Sequence, residues 1–310
     1  MTTLSDAAVT KSARCAIAPT AITNWLRSRP AQTLWQSTLG MAALMLLSAP
    51  ALALEVLLSP SNPKLGDTIS ANIRVNNPAP PTVSFRGKSY PVYPLSPNRY
   101  RALLPTTPLD SPGRLTIQVA GDGEVKNLAV GLRGRSFPTQ RIWLRGGGSN
   151  ATQYELNRVK AFKKIVTPEK FWNGPFVRPS SGRVSTIFGV RRYYNGVFAK
   201  NYYHRGVDYA AGTGSPIVAP AGGIVRLVDR ESNGFRVHGN TVGIDHGQGV
   251  LSIFLHLHTI NVKEGDRVKP GQRIGTVGST GASTGPHLHW GLYVHGQAID
   301  PVPWRYDGVE

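Results

Sequence analysis

The chain is predicted to be all-β: a small N-terminal β-sandwich, a short helical linker, then a C-terminal antiparallel β-sheet domain. Three observations predict this. Apolar residues alternate in short runs, as at Ile69, Ala71, Ile73 and Val75, which is the period of a half-buried strand. Turn signals such as Pro60-Ser61-Asn62-Pro63, Asn76-Asn77-Pro78 and Gly121-Asp122-Gly123 separate the runs. Glycine (34) and proline (24) are abundant without a collagen-like period.

Residues 1–53 read as a signal peptide. Lys11, Arg14, Arg27 and Arg29 precede the apolar run Met41-Ala42-Ala43-Leu44-Met45-Leu46-Leu47, and Ala51-Leu52-Ala53 gives the small-x-small pattern of a cleavage site. The run falls short of the roughly 20 apolar residues of a spanning helix. Export is therefore expected, to the periplasm or the cell wall, with no stable membrane insertion after cleavage.

Residues 54–140 hold the runs expected to build the sandwich: Val56–Leu58, Thr68–Val75, Thr82–Phe85 and Leu115–Val119. This stretch contains no histidine and few clustered carboxylates, so it reads as a targeting or gating module. Residues 141–179 read as the linker. Arg145-Gly146-Gly147-Gly148-Ser149-Asn150 is a flexible break, and Ser149 or Asn150 is expected to cap a helix with the stripe Leu156, Val159, Phe162 and Ile165. Pro168, Pro175 and Pro179 end it. Residues 180–305 alternate strand and turn without a helix-length period. Asn195-Gly196 marks a hairpin, and a wholly antiparallel sheet is expected.

The net charge is +18, and losing the leader leaves +15, which suggests an anionic polymer or surface as partner. Nucleic acid is disfavoured, because no helix-turn-helix, cysteine finger or basic helix is present. With export expected, bacterial cell wall fits better. The single cysteine, Cys15, lies in the leader, so the mature chain has neither a disulfide nor a thiol nucleophile. Chemistry must come from hydroxyls, carboxylates or a metal.

All eight histidines fall between His204 and His295. In His287-Leu288-His289 the two imidazoles share one face of a strand, since side chains alternate. His204-Arg205-Gly206-Val207-Asp208 offers a second pair at an even spacing, and Gly206 and Val207 favour an extended segment there. Zinc takes imidazole nitrogen and carboxylate oxygen, with three protein ligands in a typical catalytic site. His204, Asp208 and one of His287 or His289 would make that set. His256-Leu257-His258 is a competing pair that spacing does not separate from the first. His238, His246 and His295, each beside or near a glycine, read as turn residues.

Several strings together resemble the lysostaphin-type, or LytM-like, family of zinc metalloendopeptidases that cut peptidoglycan. They are Phe188-Gly189-Val190-Arg191-Arg192, His204-Arg205-Gly206-Val207-Asp208, Gly214-Ser215-Pro216-Ile217-Val218-Ala219, Val242-Gly243-Ile244-Asp245-His246-Gly247, Phe254-Leu255-His256-Leu257 and Pro286-His287-Leu288-His289-Trp290. The resemblance covers roughly residues 180–305 in the family's order. It implies His204, Asp208 and His289 as ligands of Zn2+, and His256 and His287 as the non-ligand pair that activates water and stabilises the oxyanion. His258 falls outside the pattern as a bystander. Phe254 stands where a tyrosine is common, and Gly291 where many members carry an acidic residue.

The implied function is a zinc-dependent peptidoglycan hydrolase acting on cross-link or stem peptides. An alternative is a non-catalytic wall-binding protein that activates amidases. Retention of His204, Asp208, His256, His287 and His289 argues against it. The hairpin around Gly265-Asp266 and Pro270-Gly271-Gln272 also resembles lipoyl or biotinyl carriers, but no modified-lysine turn accompanies it.

Overall fold

A computed structural model describes residues 54–77, 79–143 and 150–306. The predicted signal peptide and the Gly146–Ser149 break lie outside these residues, as does Arg145. The first half supplies β1 (Glu55–Ser59), β2 (Thr68–Arg74), β3 (Thr82–Phe85), β4 (Lys88–Tyr90), β5 (Tyr93–Ser96), β6 (Arg99–Pro105), β7 (Gly113–Gly121) and β8 (Glu124–Leu132). They form two four-stranded sheets, β1-β2-β6-β5 and β4-β3-β7-β8. Ile69, Ile73 and Leu104 from one sheet meet Val83, Phe85, Ile117 and Val119 from the other in a shared buried core. The alternation read at Ile69, Ala71 and Ile73 is thus the inward face of β2.

Strand β6 is buried on both faces. Ala102 and Leu104 belong to the sandwich core, whereas Leu103 joins the core of the second half. Arg101 is fully buried, donates from Nη2 to Gln248 Oε1 at 2.6 Å and lies 5.2 Å from the Trp172 ring centroid. Asp300 accepts from Arg135 at 2.6 Å, and its amide donates to the Gly66 carbonyl at 2.8 Å. The two halves of the described chain are therefore joined by buried polar contacts as well as by apolar packing.

Next come β9 (Thr139–Ile142) and the only α-helix among the described residues, α1 (Gln153–Lys163). Its start differs from the expected cap. Thr152, not Ser149 or Asn150, is the N-cap, and its hydroxyl accepts from the Glu155 amide at 3.1 Å. The same hydroxyl donates to Gly234 O at 2.9 Å, so the cap also fastens a loop. Val159 and Phe162 are buried as the stripe predicts, but Leu156 is 48% exposed and Glu155 takes the inward position. A buried carboxylate facing amide donors is invisible to an apolar-period argument.

The remaining strands are β10 (Arg183–Thr186), β11 (Arg191–Tyr194), β12 (Val197–Phe198), β13 (Val207–Ala210), β14 (Pro216–Val218), β15 (Gly223–Asp229), β16 (Thr241–Gly247), β17 (Val250–Leu255), β18 (Leu257–Ile260), β19 (Arg267–Val268), β20 (Arg273–Val277), β21 (His287–Val294) and β22 (Gln297–Ile299). A central sheet runs β10-β13-β21-β17-β16-β15-β19, with β22 beside β21, and β14-β20-β18 forms a smaller one. Asn195 and Gly196 turn the β11–β12 hairpin at φ of 48° and 84°, the left-handed pair that Asn-Gly favours.

Every pairing among β10–β22 is antiparallel, as expected for residues 180–305, and the one parallel strand pair among the described residues involves β9, which precedes that stretch. Strand β9 pairs parallel with β11, Arg191 to Thr139 through Tyr194 to Ile142. Its sequence Thr-Gln-Arg-Ile has no alternating apolar face; the open edge of the β11–β12 hairpin captures it instead.

Candidate metal centre and cleft

The pairing of β13 with β21 sets Asp208 opposite His289. Directly opposed residues in antiparallel strands point to the same side, so the register brings carboxylate and imidazole together. His204 lies three residues before β13, held by two backbone bonds to the β10–β11 connection: its amide donates to Val190 O and its carbonyl accepts from the Gly189 amide, both at 2.9 Å. Its Nε2 lies 3.0 Å from Asp208 Oδ1 and 3.0 Å from His289 Nδ1, and His289 Nδ1 lies 2.9 Å from the same oxygen. All three residues are buried. Gly206 is required here, since a Cβ would meet the Trp290 carbonyl oxygen at 2.3 Å.

This donor triangle fits a zinc ion. Tetrahedral zinc with bonds of about 2.0–2.1 Å separates neighbouring ligand atoms by about 3.3 Å, close to the edges seen. The proton inventory agrees. His204 Nδ1–H donates to Ile187 O at 2.9 Å, so its Nε2 presents a lone pair to the centre. A neutral His289 contributes at most one proton to the triangle. Two of the three contacts are then lone pair against lone pair, an arrangement that a cation resolves. Burial alone would raise the Asp208 pKa, but the adjoining His204 and His289 rings hold the carboxyl well below its usual range. His289 is pushed down to about 4 by burial, against the pull of Asp208, and is neutral at pH 7 as a ligand must be.

Two further imidazoles stand beside this group. His287 Nδ1–H donates to Gly285 O at 2.8 Å, and its Nε2 lies 3.9 Å from Asp208 Oδ1. His256 Nδ1–H donates to Thr280 O at 2.8 Å. The two rings sit 4.8 Å apart, each with Nδ1 tied to a carbonyl and Nε2 left for chemistry. Burial, then the neighbouring His287 and His289, push His256 down to about 3. Its φ of 66° is left-handed, a conformation that costs a non-glycine residue about 1–3 kcal/mol unless neighbours impose it. Its amide donates to His238 O at 3.0 Å, which helps to hold it.

His258 is exposed and does not line the cleft. His246 is not a turn residue: it lies in β16, where its Nδ1–H donates to Gly222 O and its Nε2 accepts from Ser252, which also receives Trp290 Nε1–H. His295 is in the β21–β22 turn, its ring stacked on Tyr93 from the sandwich at 6.2 Å.

His238 lies in the turn before Gly239, as expected, and it also lines the cleft. Its Nδ1 lies 2.5 Å from Glu155 Oε1, an oxygen that also accepts from the amides of His238 at 2.7 Å and Val237 at 3.1 Å. Glu155 is fully buried; burial would raise its pKa, yet His238 holds it below the ordinary value. Neither residue carried a spacing signal, because they are 83 positions apart. The cleft has a volume of about 1000 Å³ and opens over all five histidine and aspartate residues of the group, with Arg192 and Arg205 on its walls.

Residues 202–301 match Peptidase family M23. The peptidoglycan DD-endopeptidase ShyC of Vibrio cholerae is 44% identical over 119 residues, covering 38% of this chain and 26% of the relative. ShyA of the same organism, also named a peptidoglycan DD-endopeptidase, is 38% identical over 185 residues, or 60% of this chain and 39% of the relative. The chain thus spans between a quarter and two-fifths of these relatives' length. Among solved structures, an M23 peptidase candidate from Pseudomonas aeruginosa superposes with a TM-score of 0.59 at 26% identity, covering 80% of this chain and 95% of that one. From this match and the fold, the chain carries a domain of peptidase family M23.

Proposed function

We propose that the protein is a zinc-dependent endopeptidase that hydrolyses cross-link or stem peptides of bacterial peptidoglycan. The observation that carries this reading is the buried convergence of His204, Asp208 and His289 beside the paired imidazoles of His256 and His287, at the floor of an open cleft. His204, Asp208 and His289 would hold the ion. Zinc there supplies Lewis acidity toward a carbonyl oxygen and water. The other steps belong to the chain. One of the His256 and His287 Nε2 atoms takes the proton of the attacking water, and the protonated ring delivers it to the leaving amine. The second ring, when it carries a proton on both nitrogens, donates from Nε2 to stabilise the tetrahedral oxyanion. Burial keeps His256 uncharged at rest, so it is available as an acceptor.

Residues 54–140 then serve to target or gate the catalytic residues, with 141–179 as linker and 180–305 as the endopeptidase domain. The leader, residues 1–53, would direct export to the periplasm or cell wall; no helix among the described residues is long and apolar enough to cross a membrane. The names of the relatives support peptidoglycan as substrate. The test is mass spectrometry of the muropeptides released from sacculi by the mature protein, with and without a chelator. New peptide ends that disappear with chelation support the reading; an unchanged muropeptide profile sinks it.

A further inference from the structure

Arg192 is held unlike an ordinary surface arginine. It lies half-buried on β11 in the cleft wall, its Nε donating to Gln140 Oε1 at 3.1 Å and its Nη1 to the hydroxyls of Tyr202 at 3.2 Å and Tyr194 at 3.4 Å. Each partner is neutral: burial pushes the Tyr202 phenol up to about 12. The two N–H groups of Nη2 have no partner among the described residues. Three uncharged acceptors thus fix the guanidinium without neutralising it. The only carboxylate among the described residues that line the cleft is Asp208, which attracts Arg192 without bonding to it and is itself engaged with His204 and His289. Two more guanidiniums line the same cleft. Arg205 lies 5.6 Å from the Tyr202 ring centroid, and Arg141 lies 4.6 Å from that of Tyr193.

We infer that Arg192, supported by Arg205 and Arg141, is a specificity determinant that receives a free carboxylate of the peptide substrate near the scissile amide. The inference rests on the hydrolase reading above and adds the substrate feature. A planar guanidinium with a free edge matches a planar carboxylate, and a charge-assisted bond in a partly desolvated wall discriminates strongly against a carboxamide. In a cross-linked peptide the carboxylate has two sources, the diamino residue beside the scissile bond and the C-terminal end of a stem. Either would be recognised by the same chemistry. Gln140 and Arg141 come from β9, so part of this recognition lies outside the stretch that matches the family.

The test uses the full mature chain and a synthetic cross-linked peptide in three forms: both carboxylates free, the one beside the scissile amide converted to carboxamide, or the C-terminal one converted. The wild type should show a kcat/KM about 10- to 100-fold higher on the free form than on one of the amidated forms, and which form suffers identifies the source. Arg192→Gln should collapse that ratio to within about threefold, and Arg192→Lys should keep part of it. No preference in the wild type, or an equal preference in Arg192→Gln, overturns the inference. Fluorescence anisotropy with the same peptides under chelation reads the same ratio in binding. Should the wild type hydrolyse none of the peptides, the hydrolase reading fails while the binding ratio still decides the role of Arg192. If Arg192→Gln does not fold, Arg192→Lys and Arg205→Gln carry the comparison: a ratio unmoved in both overturns it.

Discussion

Replacing Glu155 by alanine removes the acceptor of three donors at once: the amides of Val237 and His238 and the His238 ring N–H. An unsatisfied buried donor costs about 1–3 kcal/mol. The His238 side chain is 22% exposed, so its ring finds water, and the loss falls mainly on the two amides. The expected destabilisation is about 2–6 kcal/mol, with Glu155→Gln milder because one amide oxygen survives. The functional effect follows from what the loop holds. His238 O receives the His256 amide and Val237 O receives the Ala282 amide, both at 3.0 Å, and Thr280 O receives His256 Nδ1–H. Loosening the loop frees His256 from its left-handed conformation and misplaces its Nε2. We expect kcat to fall about 10- to 100-fold with little change in KM. Zinc content should stay near one ion per chain, because the proposed ligands sit on and beside β13 and β21, away from this loop. The assay is urea unfolding, zinc by atomic absorption, and steady-state hydrolysis of purified muropeptides. Loss of zinc in proportion to activity, or a wild-type kcat in the folded variant, would refute the positioning role.

His289→Ala should abolish both hydrolysis and zinc retention while sedimentation with sacculi persists, since the net charge of +18 for the chain is almost untouched; loss of sedimentation with retained hydrolysis contradicts this. His256→Ala should keep zinc but lower kcat by about 10²–10⁴-fold, and a variant that loses the metal instead would make His256 a ligand. His246 governs a pH effect on stability. Burial holds its folded pKa at about 4, so the unfolded state, near an ordinary 6.5, takes up the proton first as pH falls. Its contribution is intact above about pH 7 and is lost as pH drops toward 4, by about 2 kcal/mol at pH 5. Urea unfolding of the chelated protein at pH 7 and 5 should show a loss to which His256, His289 and His295 also contribute, and His246→Gln should shrink it by about 2 kcal/mol; an identical pH difference in the variant contradicts the assignment.

The residues that meet within one strand pair were the most legible in the sequence. His287 and His289 on alternate positions, and Asp208 four after His204, each announce a shared face, and the β13–β21 register joins them. Spacing did not choose between His287 and His289 as the third member of the triangle, because both lie on that face; the choice depends on which imidazole Asp208 opposes. The sandwich strands were readable for the same local reason, from the alternation at Ile69, Ala71 and Ile73. What escaped was made by contacts distant in sequence. Glu155 lies at an inward helix position that an apolar count assigns to a hydrophobe, and Leu156 beside it faces water. His238 is a residue of the Gly239 turn, as read, but its contact with Glu155 and its place in the cleft were hidden because the partner comes from another element. Strand β9 has no period to detect, since pairing with β11 through its backbone needs none.

The parallel pairing of β9 with β11 has a consequence for anyone who transplants the proposed site. A graft beginning at residue 150 would carry α1, Glu155, the donor triangle and both flanking imidazoles, yet leave Gln140 and Arg141 behind. Arg192 would lose the acceptor that orients its Nε. Such a chimera would inherit the proposed metal ligands and flanking imidazoles and lose part of the proposed carboxylate recognition, and four residues of the preceding strand, Thr139–Ile142, mark the difference.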